Sequence, residues 1–202
     1  GVAHGFSTRH GGISPEPYAT LNLGPLTKGA GDLNAHVSEN FRRVREALGF
    51  GRRYRCAVKQ VHGCNVWRTP GQPTMEKQSP EADAIVSDDP GAMLCIRVAD
   101  CVPILLASDD GRWVAAVHSG WRSTVANVAG NTIGRLKEHF DARVDQAVAA
   151  IGPCISAEHF EVGDEVADAF EQAGLSEHIT RAGSTATGTS QLTSTGSNKP
   201  HA

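Results

Sequence analysis

The chain reads as an α/β domain with mixed sheets, an α+β interleaving of helices and strands. Three observations predict it. Apolar residues recur at helical spacing in separate segments. Between these segments lie short runs rich in Val, Ile and Ala, bounded by Gly, Pro or Asp. One pair of runs is joined by Asp109-Asp110-Gly111, a hairpin signal, so the sheet is not purely parallel. At 202 residues the chain is about one domain. It can bury roughly 70% of its unfolded surface and needs neither disulfides nor metal merely to fold.

In chain order, Ala3 to Ser7 reads as a short strand running into a turn at Gly11-Gly12. Residues 13 to 31 read as an ordered loop containing Leu21-Asn22-Leu23-Gly24. The first helix spans 32 to 48, with Val37, Phe41, Val44 and Leu48 in one stripe. Asp32 or Asn34 is positioned to cap its start and Gly49 its end. Strands follow at 55 to 61, 65 to 69, 82 to 87, 93 to 99, 103 to 108 and 112 to 119. Residues 70 to 80 read as a loop and Asp88-Asp89-Pro90-Gly91 as a turn. A second helix is expected from Ser123 to Phe140, with Val125, Val128, Ala129, Ile133, Leu136 and Phe140 on one face. A strand at 147 to 151 and a helix from 164 to 173, closed by Gly174, complete the pattern. From 183 to 198, twelve of sixteen residues are Ser, Thr or Gly, which reads as a flexible insert. No internal repeat is visible.

Composition excludes several partner classes. The chain is 40% apolar and 20% charged, with a net charge of −3. Neither a basic nucleic-acid footprint nor a polybasic membrane patch fits that balance. No run of 18 apolar residues is available to span a bilayer. The five cysteines are odd in number and form no C-x-x-C pair, which argues against a secreted disulfide framework or a zinc ribbon. A reducing, cytoplasmic setting is expected.

Three reactive side chains sit at the ends of these strands: His62, Cys101 and His118. Two imidazoles and a thiolate make a three-ligand zinc site with an open fourth position, as in catalytic zinc centres. The same trio without metal is a Cys–His nucleophile pair. The bland alternative is a core cysteine flanked by strand-capping histidines, since separations of 39 and 17 residues match no local metal motif. Ser119-Gly120-Trp121-Arg122-Ser123-Thr124 passes from strand to helix. There Arg122 and free backbone N–H groups could hold phosphate, or Ser123 or Thr124 could simply cap the helix. Arg9, before a glycine turn, is a second anion candidate or a solvated loop arginine. Cys56, Cys64, Cys95 and Cys154 read as inert thiols, and the other seven histidines lack convergent partners.

The motifs HGFSTRHGGIS, Leu21-Asn22-Leu23-Gly24, QVHG, ADAIVS, ADCVPILL, AAVHSGWR and IGPCIS-x-x-HFEVG occur in this order. Through them residues 1 to about 170 closely resemble the laccase-domain family. That family was long called multicopper polyphenol oxidases and is now described as zinc-dependent purine nucleoside phosphorylases. The resemblance implies a layered sandwich related to the putative cysteine hydrolase fold of bacterial-toxin deamidases. It implies that His62, Cys101 and His118 are both metal ligands and catalytic residues. With the anion candidates above, Arg9, Asn22, Gln60 and Arg122 are then expected to contact substrate or phosphate.

The activity implied is phosphorolysis of adenosine, inosine and methylthioadenosine, with adenosine deamination as a second activity. Zinc is the implied cofactor, copper the alternative, and nucleosides and phosphate the partners of a monomer or weak homodimer. The H-x-E and P-C-x-x-C deaminase signature is absent, since Pro153-Cys154 is followed by Ile155-Ser156-Ala157. A copper polyphenol oxidase is the first alternative, weakened because no histidines form His-x-His pairs. A metal-free cysteine hydrolase of the peptidoglycan-editing type is the second, and a binding protein without turnover the third. After Lys199-Pro200-His201 only Ala202 follows, so the expectation is one domain, residues 1–202, lacking the family's C-terminal part.

Overall fold

In a computed structural model, which describes residues 1–24, 32–71, 79–181 and 190–192, the apolar runs assemble into three sheets. The largest holds β2 (Val66–Arg68), β3 (Ala84–Ser87), β6 (Val114–Ser119), β5 (Val102–Ser108) and β7 (Ala147–Ile151), in that spatial order. The β2–β3 pair is parallel and every other pair antiparallel, so the sheet is mixed as expected. Asp109-Asp110-Gly111 does join β5 to β6, with Gly111 at φ 74°. β1 (Tyr54–Ala57) pairs in parallel with β4 (Ala92–Cys95) as a separate two-stranded sheet.

β3 is buried along its whole length, and its alternation divides the core. Val86 joins Trp113, Ala115 and Leu136 on one face, where Ala84 also packs with Val117 and Val128. Ile85 points the other way, against Val58, Ala82, Trp67, Leu94 and Ile96 beneath the β1–β4 sheet. The helix α1 (Asn34–Ala47) ends as read: Gly49 at φ 68° donates to Glu46 O, and Phe50 N donates to Arg45 O. Its start differs in detail. Leu33 is the N-cap, while the Asp32 carboxylate accepts from Leu33 N and from His36 Nδ1.

Four sequence expectations are corrected. Ala3 to Ser7 forms no strand; Phe6 packs on Gly152 and Gly5 lies against Leu48, so the segment docks through side-chain contacts rather than a ladder. The helix expected from 123 to 140 is two, α2 (Trp121–Val125) and α3 (Val128–Phe140). Asn127 turns left-handed at φ 59°, and its side chain accepts from Gly130 N. That break sends Val125 to a different cluster, with Phe160, Val162, Val166 and Phe170, around α4 (Asp164–Gln172). Within α3, Ala129 is exposed and Thr132 is buried in its place, donating to Val128 O. Finally, β10 (Ser190–Leu192) lies inside the Ser/Thr/Gly-rich run and pairs antiparallel with β8 (Glu161–Val162) and β9 (Ile179–Arg181). Backbone pairing needs no apolar side chains, so composition alone misreads this stretch. The rest of the expected insert lies outside the described residues, as does the end of the expected 13–31 loop.

Candidate metal centre

The β5–β6 ladder builds half of the site. Its register sets Pro103 opposite His118 and Val102 opposite Ser119. Cys101, one residue before β5, therefore faces Gly120, one residue past β6. His62 comes from the turn that precedes β2 and is held at φ 58°, a conformation unusual for a non-glycine residue. One donor atom each from His62, Cys101 and His118 lie within 4.8 Å of one another. The two imidazoles meet edge to face, centroids 4.8 Å apart. His118 is buried, Cys101 half-buried and His62 exposed, so the trio opens to solvent on one side.

A fourth residue holds these three in place. Asp83 is fully buried at the foot of β3. Its Oδ1 accepts from His118 Nδ1 at 2.8 Å and from His62 N at 3.0 Å. Its Oδ2 accepts from Gly63 N at 2.7 Å and from Val61 N at 3.3 Å. The carboxylate thus satisfies the backbone of the His62 turn and accounts for its strained φ. A carboxylate only accepts, so His118 carries its proton on Nδ1 and leaves Nε2 available as a ligand. Asp83 lies within ADAIVS, where the sequence by itself assigns it no role. The available signal was a lone carboxylate opening an otherwise apolar strand, a group that is buried only when donors surround it.

The donor set fits a metal ion. Two imidazoles and one thiolate, oriented by a buried carboxylate and open on one side, match a catalytic zinc site. Burial raises the Cys101 thiol above its ordinary value, and the nearby Asp100 and Asp83 charges add to that. Gly120 clears the space. A Cβ there would lie 2.9 Å from His62 Nδ1 and 3.0 Å from Cys101 Sγ. Its own backbone, φ −76° and ψ 169°, suits any residue. Gly120→Ala is therefore expected to leave the fold intact and weaken metal binding by about tenfold or more, as read by metal titration. Unchanged affinity would show that the trio does not close on one ion.

Arg122 is exposed on α2, its guanidinium stacked 4.1 Å over the Trp121 ring. Arg9 is exposed, and its guanidinium bonds to no described residue. Gln60 is committed elsewhere: its Nε2 donates to Arg97 O at 2.7 Å and its Oε1 accepts from Arg97 N at 3.0 Å. Asn22 is likewise engaged, with Oδ1 accepting from Gly24 N and Nδ2 facing Asp32. Each amide thus helps to hold its own loop in place.

A family model described as multi-copper polyphenol oxidoreductase laccase matches residues 3–197. Among curated relatives, a Deinococcus radiodurans protein named purine nucleoside phosphorylase is 39% identical over 181 residues. That match covers 88% of this chain and 66% of the relative. The Escherichia coli K12 protein named purine nucleoside phosphorylase YfiH is 38% identical over 170 residues, covering 84% of this chain and 65% of its own. This chain therefore spans slightly under two thirds of these relatives' length. Among solved structures, YlmD from Geobacillus stearothermophilus superposes with a TM-score of 0.78 at 29% identity, over 93% of this chain and 70% of that one. Among the described residues no helix is long and apolar enough to cross a membrane.

Proposed function

Because the chain belongs to the multi-copper polyphenol oxidoreductase laccase family, we propose that it is a zinc-dependent purine nucleoside phosphorylase acting on adenosine, inosine and methylthioadenosine. The observation that carries this reading is the His62–Cys101–His118 group braced by Asp83. Relatives at up to 39% identity, named for that activity, support it. His62, Cys101 and His118 would hold the ion. Zinc, when bound, supplies a Lewis acid and lowers the pKa of its water to about 7.

The chain's own residues supply the rest. Asp83 fixes the His118 tautomer and the His62 turn, so the donors need little reorganisation. Arg122 and Arg9 are the cations proposed for phosphate. Phosphate oxygen attacks the anomeric carbon of the ribose, a C–O bond forms, and the C–N bond breaks. The purine leaves as the free base after gaining a proton. Adenosine deamination would be a second, hydrolytic use of the same site. The copper polyphenol oxidase reading needs further copper ligands. Among the described residues one group of three is found, and copper in it would reveal itself as a blue absorption band.

Incubating the metal-replete protein with inosine and phosphate is expected to release hypoxanthine and ribose 1-phosphate. Release must stop when phosphate is omitted. Hypoxanthine release that ignores phosphate, or none at all in the zinc-loaded protein, would overturn the reading.

A further inference from the structure

The face of the β1–β4 sheet opposite Ile85 carries a pair of arginines that the site above does not use. Strand alternation puts Arg55 and Ala57 on one side of β1, leaving Val58 to the core beneath. In the parallel partner, Cys95 stands in register with Ala57. Leu94 and Ile96 both pack into the core, so the alternation continues past the end of β4 and places Arg97 on the same outer side as Cys95. The two guanidinium-bearing stems therefore flank Cys95 on one surface, one from each strand.

Helix α1 roofs part of this surface. The Arg55 guanidinium lies 4.3 Å over the Phe41 ring, which anchors the side chain on this face. Arg97 is half-buried, and its backbone is pinned at both N and O by Gln60. Among the described residues neither guanidinium has a carboxylate or carbonyl partner. Cys95 supplies no counter-charge, because burial pushes its thiol up to about 11. Burial and the facing Arg55 charge both pull Arg97 below its ordinary value. Two like charges face each other, one of them partly desolvated, an arrangement that an anion between them would stabilise.

We propose that Arg55 and Arg97 form an oxyanion site that takes a phosphate group between their guanidinium edges above Cys95. Planar N–H forks match tetrahedral phosphate oxygens in geometry and charge. The phosphate can be free inorganic phosphate or the monoester of a nucleotide. The inference goes beyond the phosphorylase reading and needs no turnover to be tested.

The experiment is calorimetric titration of the zinc-loaded protein with inorganic phosphate and, separately, with adenosine 5′-monophosphate. Wild type, Arg55→Met, Arg97→Met and Arg135→Met are compared. Methionine keeps the apolar stem and removes the charge. Arg135, paired with Glu138 on α3, controls for the loss of one positive charge. Each of the first two variants is expected to weaken binding roughly ten- to hundredfold, and the control to match wild type. Metal content should stay equal in all four, which shows that the fold and the His-Cys-His group are intact. A phosphate isotherm lost in Arg55→Met and Arg97→Met, beside the binding at Arg122 and Arg9 that all four proteins keep, identifies the free ion as the ligand of this site. Saturation by the monophosphate alone identifies a nucleotide. Titrations of Arg55→Met and Arg97→Met that overlay wild type with both probes overturn the site, whatever the enzyme does with inosine.

Discussion

Cys101→Ala is expected to abolish both metal binding and the phosphorolysis proposed above. The thiolate is the one sulfur donor within 4.8 Å of the two imidazole donors among the described residues. Its removal leaves two neutral nitrogen ligands, too few for the three-donor arrangement of catalytic zinc. Bound zinc should fall from about one per chain to near zero on elemental analysis. Activity should fall by roughly a thousandfold, because Lewis-acid stabilisation is worth several kcal/mol in the transition state. Stability should change little, since Cys101 is half-buried and outside the core clusters. Cys95→Ala gives the contrast: Cys95 stands on the separate β1–β4 sheet, and its loss should leave zinc stoichiometry unchanged. Full zinc occupancy in Cys101→Ala would remove the sulfur from the site.

How far the sequence reports this site follows from the range of the forces involved. The strands 82–87, 103–108 and 112–119 are legible because branched and small apolar residues cluster between turn residues, a local signal. Gly49, Gly111 and Gly174 mark their turns because a left-handed backbone favours glycine at each. The trio is legible as reactive residues at strand ends, although His62 in fact sits in a turn rather than on a strand. What stays hidden depends on long-range pairing. Nothing local tells that Asp83 faces a turn 20 residues earlier and an imidazole 35 residues later. Nothing local tells that the Gln60 amide bonds at both ends to the backbone of Arg97, 37 residues on. Asn127 interrupts a helical stripe that continues in period across it, and only its left-handed backbone reveals the break.

Asp83→Asn should be the most damaging single-atom change in the molecule. The native carboxylate serves four donors, two on each oxygen. An asparagine keeps one acceptor and replaces the other with an NH₂. If its oxygen stays toward His118 and His62 N, the NH₂ confronts Val61 N and Gly63 N. If it flips, the NH₂ confronts the His118 Nδ1 proton, and the imidazole must change tautomer and turn its proton toward the metal. Either way two buried donors lose their partner and the compensating negative charge is gone. The expected cost is about 3–5 kcal/mol of folding stability, read as a lower urea midpoint with unchanged slope. Zinc affinity in the surviving folded protein should fall about 10–100-fold, because the imidazole is no longer oriented. The two readouts separate roles. A drop in stability with wild-type zinc affinity would make Asp83 a brace for the His62 turn alone. A drop in affinity without a drop in stability would place its effect wholly on the His118 tautomer. Wild-type values in both would mean that the four hydrogen bonds to this carboxylate do not hold the trio together.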